Sequence, residues 1–110
     1  MSLTALLHCR DLKETAAFYE ALGFAVGERS DIITVEKSGG KLIFTTRDLW
    51  GTAPVCSGTF YFTVTDAEDY FGWVVGKAEV AWPLQDMPYG SREFGIKDCN
   101  GYHLAFQQQV

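Results

Sequence analysis

The sequence predicts an α+β fold: two βαβββ modules whose strands curl into one cup-shaped, eight-stranded mixed sheet, with the helices outside. Three observations point there. The order strand, helix, three strands occurs twice; each helix opens on an aspartate that follows a strand; and a stretch holding Gly51 and Pro54 parts the halves. The first module takes in residues 1–47, the linker 48–57 and the second module 58–110, all within one domain.

Residues 3–10 read as a strand of mixed polarity, after which the period changes. Asp11 is placed to accept the orphan N–H groups of a first helical turn, and Glu14 three residues on completes a capping-box pattern. Leu12, Ala16, Tyr19 and Leu22 then recur at helical spacing until Gly23 stops them. Residues 24–29, 32–37 and 41–46 read as three strands, punctuated at Ser30-Asp31 and Ser38-Gly39-Gly40.

The second half follows the same order. Residues 58–64, rich in Thr, Phe and Tyr, read as a strand. Asp66 offers the next cap, and Phe71, Val74 and Val75 continue a short helix. Residues 80–82, 92–97 and 102–107 supply three more strands, and Asn100-Gly101 reads as a hairpin turn because both residues tolerate positive φ. Aligning Asp11 with Asp66 pairs Phe18 with Trp73. Aligning Gly40 with Gly101 pairs Leu42, Ile43 and Phe44 with His103, Leu104 and Ala105.

Composition narrows the function classes. Nine Lys and Arg against fourteen Asp and Glu leave a net charge of −5, which argues against a nucleic-acid partner and against docking on an anionic membrane. No run approaches the roughly 18–20 apolar residues of a membrane helix. The first residues lack the basic start and small-residue cleavage site of a signal peptide. Cys9, Cys56 and Cys99 form no CxxC pair and an odd number, so they read as reduced thiols in a cytoplasmic protein.

A cup built from two such modules holds a ligand cavity unless large side chains fill it. Strand alternation puts Thr4, Leu6 and His8 on its inner face, with Thr59, Tyr61 and Thr63 as their counterparts. On the last strand of each module the inner set reads Leu42, Phe44, Thr46 and His103, Ala105, Gln107; a one-residue slip turns such a set outward.

Two motifs then carry a resemblance. The paired βαβββ plan with Asp11-Leu12 and Phe18-Tyr19-Glu20-Ala21-Leu22-Gly23-Phe24 resembles the vicinal oxygen chelate superfamily of glyoxalases, ring-cleaving dioxygenases and antibiotic-resistance proteins. The segment Met87-Pro88-Tyr89-Gly90-Ser91-Arg92-Glu93-Phe94, followed by Asp98-Cys99-Asn100-Gly101, is similar to the signature of bleomycin resistance proteins, with Cys99 where that signature has proline and Ser91 as an insertion.

In the metal-dependent members of that superfamily, His or Glu from the first and last strand of each module hold a divalent ion. Two open coordination positions then take adjacent substrate oxygens. The resemblance carries those positions to Thr4, Phe44, Thr59 and Ala105, none of which offers the imidazole, carboxylate or thiolate a transition metal prefers. The expectation is therefore no metal and no other cofactor. His8 and His103 are open to two readings, a displaced metal pair or general base, and a polar cavity wall. The second is preferred because no inner carboxylate stands beside them.

In the resistance proteins the aromatic at Tyr89 stacks on a planar part of the drug; the second stacking aromatic falls near Glu28 here, which cannot stack. Trp50 and Trp82 are candidates to replace it, although core packing explains both equally well. Arg92 reads as the partner of a carboxylate on an adjacent strand, or as a contact for an anionic ligand.

The resemblance thus implies a metal-free small-molecule binding protein that sequesters a planar or cationic ligand in a crevice lined by His8, Tyr61, Tyr89, Arg92 and His103, with Trp50 and Trp82 at the rim. It also implies a homodimer, since half-open sheets with apolar faces need covering. The alternative is a metal-dependent lyase or dioxygenase using His8, His103 and Glu93 or a partner residue; a module that only assembles explains the aromatic surplus less well.

Overall fold

The computed structural model describes residues 3–109 and contains two four-stranded mixed sheets, each with one helix. The chain divides into two compact units between Val55 and Cys56. The first unit holds β1 (Thr4–His8), α1 (Leu12–Ala21), β2 (Ala25–Arg29), β3 (Ile32–Lys37) and β4 (Gly40–Thr45), with sheet order β1-β4-β3-β2. The second holds β5 (Thr59–Thr63), α2 (Ala67–Val74), β6 (Glu79–Asp86), β7 (Ser91–Lys97) and β8 (His103–Gln109), in the order β5-β8-β7-β6. In each unit the first strand lies parallel to the last and the remaining pairs are antiparallel, so each is one βαβββ module. Among the described residues no helix is long and apolar enough to cross a membrane.

Both helices start as their caps dictate. Asp11 accepts from the Glu14 amide at 2.9 Å, and Asp66 from the Asp69 amide at 3.0 Å. Helix α1 ends in a Schellman turn: Gly23 takes φ 86°, its amide reaches the Glu20 carbonyl, and the Phe24 amide reaches that of Tyr19. The turn also brings Phe24 edge-on to Tyr19 at 5.0 Å between ring centres.

Each sheet packs one face on its helix. In the first module Tyr19 meets Phe44, and Ile33, Val35 and Leu42 are buried with them. In the second, Tyr70 and Phe71 of α2 meet Phe94, while Phe62 and Phe106 stack at 5.7 Å. Of these, the fully buried side chains are each worth roughly 1.5–3 kcal/mol of transfer free energy.

Three expectations need correction. Strand β6 continues past Trp82 to Asp86, through Pro83; β6 is an edge strand, where the missing proline N–H costs no ladder bond, and its pairing is irregular between Val80 and Gln85. The turn at Asn100-Gly101 is not a two-residue hairpin. Lys97 pairs with His103 across five residues, only Gly101 has positive φ, and Asp98 accepts from the amides of Asn100 and Tyr102.

The third concerns β4. Its hairpin with β3 is tight, Lys37 pairing with Gly40, so the two modules have loops of different length and Gly40 does not correspond to Gly101. The register Thr4↔Lys41 and Leu6↔Ile43 puts Lys41, Ile43 and Thr45 on the face shared with Thr4, Leu6 and His8. Leu42 and Phe44 lie on the opposite face, against α1.

Candidate functional site

The face of the second sheet turned away from α2 carries three rows of side chains across β5, β8, β7 and β6. They are Thr59, His103, Lys97 and Glu79; then Tyr61, Ala105, Gly95 and Trp82; then Thr63, Gln107, Glu93 and Gln85. The middle row is shaped by its smallest member. A Cβ at Gly95 would run into the Trp82 ring, so glycine alone lets the indole lie down on β7. The indole then stacks beside the His103 imidazole, 6.3 Å between centres with planes 20° apart.

Beyond that row lies a polar cluster. The β6–β7 connection turns at Gly90, with φ 89°, and the Met87 amide reaches the Ser91 carbonyl at 2.7 Å. This folds Tyr89 back so that its hydroxyl donates to Glu93 Oε1 at 2.6 Å; the Ser91 hydroxyl donates to the same oxygen at 3.2 Å. Tyr61 also interacts with the Tyr89 hydroxyl, although β8 lies between β5 and β7; the direct neighbour of Tyr61 on β8 is the methyl group of Ala105. Glu93 is 1% exposed, whereas Tyr61 and Tyr89 are 51% and 61% exposed. The Glu93 carboxylate that accepts from it, helped by burial and negative charge, pushes the Tyr89 hydroxyl up to about 12. At neutral pH Tyr89 is therefore a hydrogen-bond donor.

Arg92 does not belong to this cluster. One residue from Glu93, it projects to the α2 face, where it binds Asp86 at 2.7 Å and approaches Glu68 at 3.6 Å. The guanidinium hydrogen-bonded to Asp86 holds that carboxyl below its ordinary range. Arg92 is thus the cross-strand ion partner its position suggested.

His8 and Trp50 stand together in the first module. His8 Nδ1 donates to the Thr52 carbonyl at 2.9 Å, and the Trp50 ring lies 5.8 Å from the imidazole. Glu28 pairs with Ile33 on the α1 side of its sheet, and Gly27 occupies the other face, so no ring stands at that place either.

The four positions carried over for a metal need one substitution. Thr4, Thr59 and Ala105 lie on the faces turned from the helices, but Phe44 packs against Tyr19, and Ile43 takes the place equivalent to Ala105. Two hydroxyls, an isoleucine and a methyl group remain a donor set no transition metal selects. Among the described residues no group of three or more His, Cys, Asp and Glu side chains is arranged to hold a metal ion. The residues present do not fit the divalent ion of the metal-dependent relatives.

The sequence reading named Glu93 only as a ligand of the metal-dependent alternative and missed its bond to Tyr89, and it missed the part of Gly95 altogether. Both share the parity of Ser91 in Ser91-Arg92-Glu93-Phe94-Gly95, so alternation alone puts them together, opposite Arg92 and Phe94.

Residues 3–106 match the family model described as Glyoxalase/Bleomycin resistance protein/Dioxygenase superfamily. No curated protein matches the chain. Among solved structures, a glyoxalase/bleomycin resistance protein/dioxygenase from Alicyclobacillus acidocaldarius is 21% identical, with a TM-score of 0.79 over 100% of this chain and 92% of that one. TioX from Micromonospora sp. ML1 is 19% identical, with a TM-score of 0.81 over 100% and 99%. A family enzyme from Burkholderia phytofirmans PsJN is 10% identical, with a TM-score of 0.81 over 97% of each chain. At these identities the likeness is one of fold.

Proposed function

The chain belongs to the Glyoxalase/Bleomycin resistance protein/Dioxygenase superfamily, and from that premise we propose that it captures a planar or cationic small molecule stoichiometrically, without a metal ion. The reading places the ligand on the aromatic face of the second module, against Tyr61, Tyr89, Trp82 and His103. The observation that carries it is the exposed pair Tyr61 and Tyr89, fixed by the hydroxyl bond to Glu93, on a sheet face whose middle row ends in the Trp82–His103 stack. Rigid rings with a polar end present area to a planar ligand at little entropic cost, and stacking adds about 0.5–1.5 kcal/mol beyond burial. The acidic balance of the chain favours a cation. Cys9, Cys56 and Cys99 form no disulfide, which supports a reducing compartment such as the cytoplasm.

A panel of planar dyes and heteroaromatic antibiotics, read by thermal unfolding, tests the reading. A ligand at 100 times its dissociation constant should add about 2.7 kcal/mol of stability. Tyr89→Ala should weaken that ligand about tenfold and leave the free protein folded, with its midpoint lowered only by the loss of the bond to Glu93, since the ring is exposed. A panel without a single hit, or a Tyr89→Ala protein that binds as tightly as the parent, contradicts the proposal.

A further inference from the structure

Glu93 is a carboxylate sunk into a sheet face and held there by neutral donors alone. It is 1% exposed, both of its hydrogen bonds end on Oε1, and both come from neutral hydroxyls. Among the described residues Oε2 has no hydrogen-bond partner and Glu93 makes no ion pair. The neighbours on its row, Gln107 and Gln85, carry no charge. The adjacent guanidinium is spent on the other face with Asp86, and Lys97, four residues along β7 or about 13 Å at strand rise, is engaged by Glu79 at 3.5 Å. Among the described residues no buried side-chain oxygen lacks a partner, so Oε2 keeps contact with solvent and is open to a ligand, while the carboxylate has no counter-charge of its own. The side chains at its mouth are two exposed phenol rings, whose faces attract cations.

We propose that Glu93 is the receptor for the charged end of the ligand, an ammonium or amidinium group that reaches Oε2 while its planar body rests on Tyr61 and Tyr89. This rests on the capture reading and narrows it to cationic ligands. Tyr89 and Ser91 then act as positioning residues: their bonds to Oε1 hold the carboxylate in one orientation and leave Oε2 to the ligand. A cation there meets the oxygen with a charge-assisted bond, whereas a neutral ligand of the same shape offers only the weaker bond of an uncharged N–H.

Benzamidine and benzamide are matched probes, nearly equal in shape and differing in charge at neutral pH. Calorimetric titration of the full chain should show benzamidinium binding at least about tenfold tighter than benzamide, the size expected of one charge-assisted hydrogen bond. Glu93→Gln, whose amide oxygen can still accept from Tyr89 and Ser91, should abolish that preference. In the wild-type chain the 13C resonance of the Glu93 carboxyl should shift well further on saturation with benzamidinium than with benzamide, which tests the site even if the variant does not fold. Equal binding of the two probes, an unmoved carboxyl resonance, or a preference that survives Glu93→Gln overturns the receptor and leaves planar capture standing. Binding of neither probe overturns the receptor, and an empty result from the wider planar panel then removes the capture reading with it.

Discussion

Much of the chemistry of the second module turns on where single side chains end. Tyr89 shows this most plainly: a ring 61% exposed has its hydroxyl held by a carboxylate 1% exposed. Its ionisation is harder in the folded chain than in the unfolded one, where a phenol titrates near 10. The bond therefore contributes stability in full below about pH 10, and that contribution is lost as pH climbs from there toward 12. An alkaline absorbance titration should show one tyrosine ionising near 12 that moves down in Glu93→Gln and vanishes in Tyr89→Phe. A Tyr89 that titrates with the exposed phenols would mean the hydroxyl is not bound to Glu93. Burial raises Tyr70 even further, so the measurement needs the Tyr89→Phe difference to assign the step. Tyr89 was legible in the sequence through its motif. Glu93 was visible as a letter in that motif and as a ligand in the metal-dependent alternative, but not as the partner of Tyr89, because its burial and the engagement of Lys97 by Glu79 are products of folding.

At the scale of elements, the helices were the easiest to read and the last strands of the hairpins the hardest. Asp11 and Asp66 advertise their helices through a local bond, a carboxylate to an amide three residues on, which needs nothing from elsewhere in the chain. Strand β4 depends instead on the length of the turn before it. Ser38 and Gly39 close that turn in two residues where the second module uses five, and this difference moved Phe44 to the helix face and brought Ile43 forward. Strand β6 was cut short at Pro83, a residue that ends a central strand but is harmless at an edge. The fit of β6 on β7 also makes a prediction. Gly95→Ala should destabilise the fold by about 1–3 kcal/mol, the usual cost of overpacking, because the new methyl meets the Trp82 ring. Urea unfolding checks it, and the penalty should shrink in a Trp82→Leu background. An equal penalty in both backgrounds would place the clash elsewhere.

The molecule as a whole repeats one plan and uses it unevenly. Both modules have the same strand order and the same capped helix, yet the face turned from the helix carries Leu6, Ile43, Thr34 and Gly27 in one and Tyr61, Ala105, Gly95 and Trp82 in the other. The aromatic area and the buried carboxylate belong to the second, and membership of a superfamily that contains both metal enzymes and binders leaves these side chains to decide between them. The donor chemistry of Thr4, Ile43, Thr59 and Ala105 argues against the metal. Elemental analysis of the protein, prepared without chelators and saturated with nickel, zinc, manganese or iron before extensive buffer exchange, tests this most directly. Far less than one ion per chain should remain for every metal; one tightly retained equivalent of any of them would contradict the account.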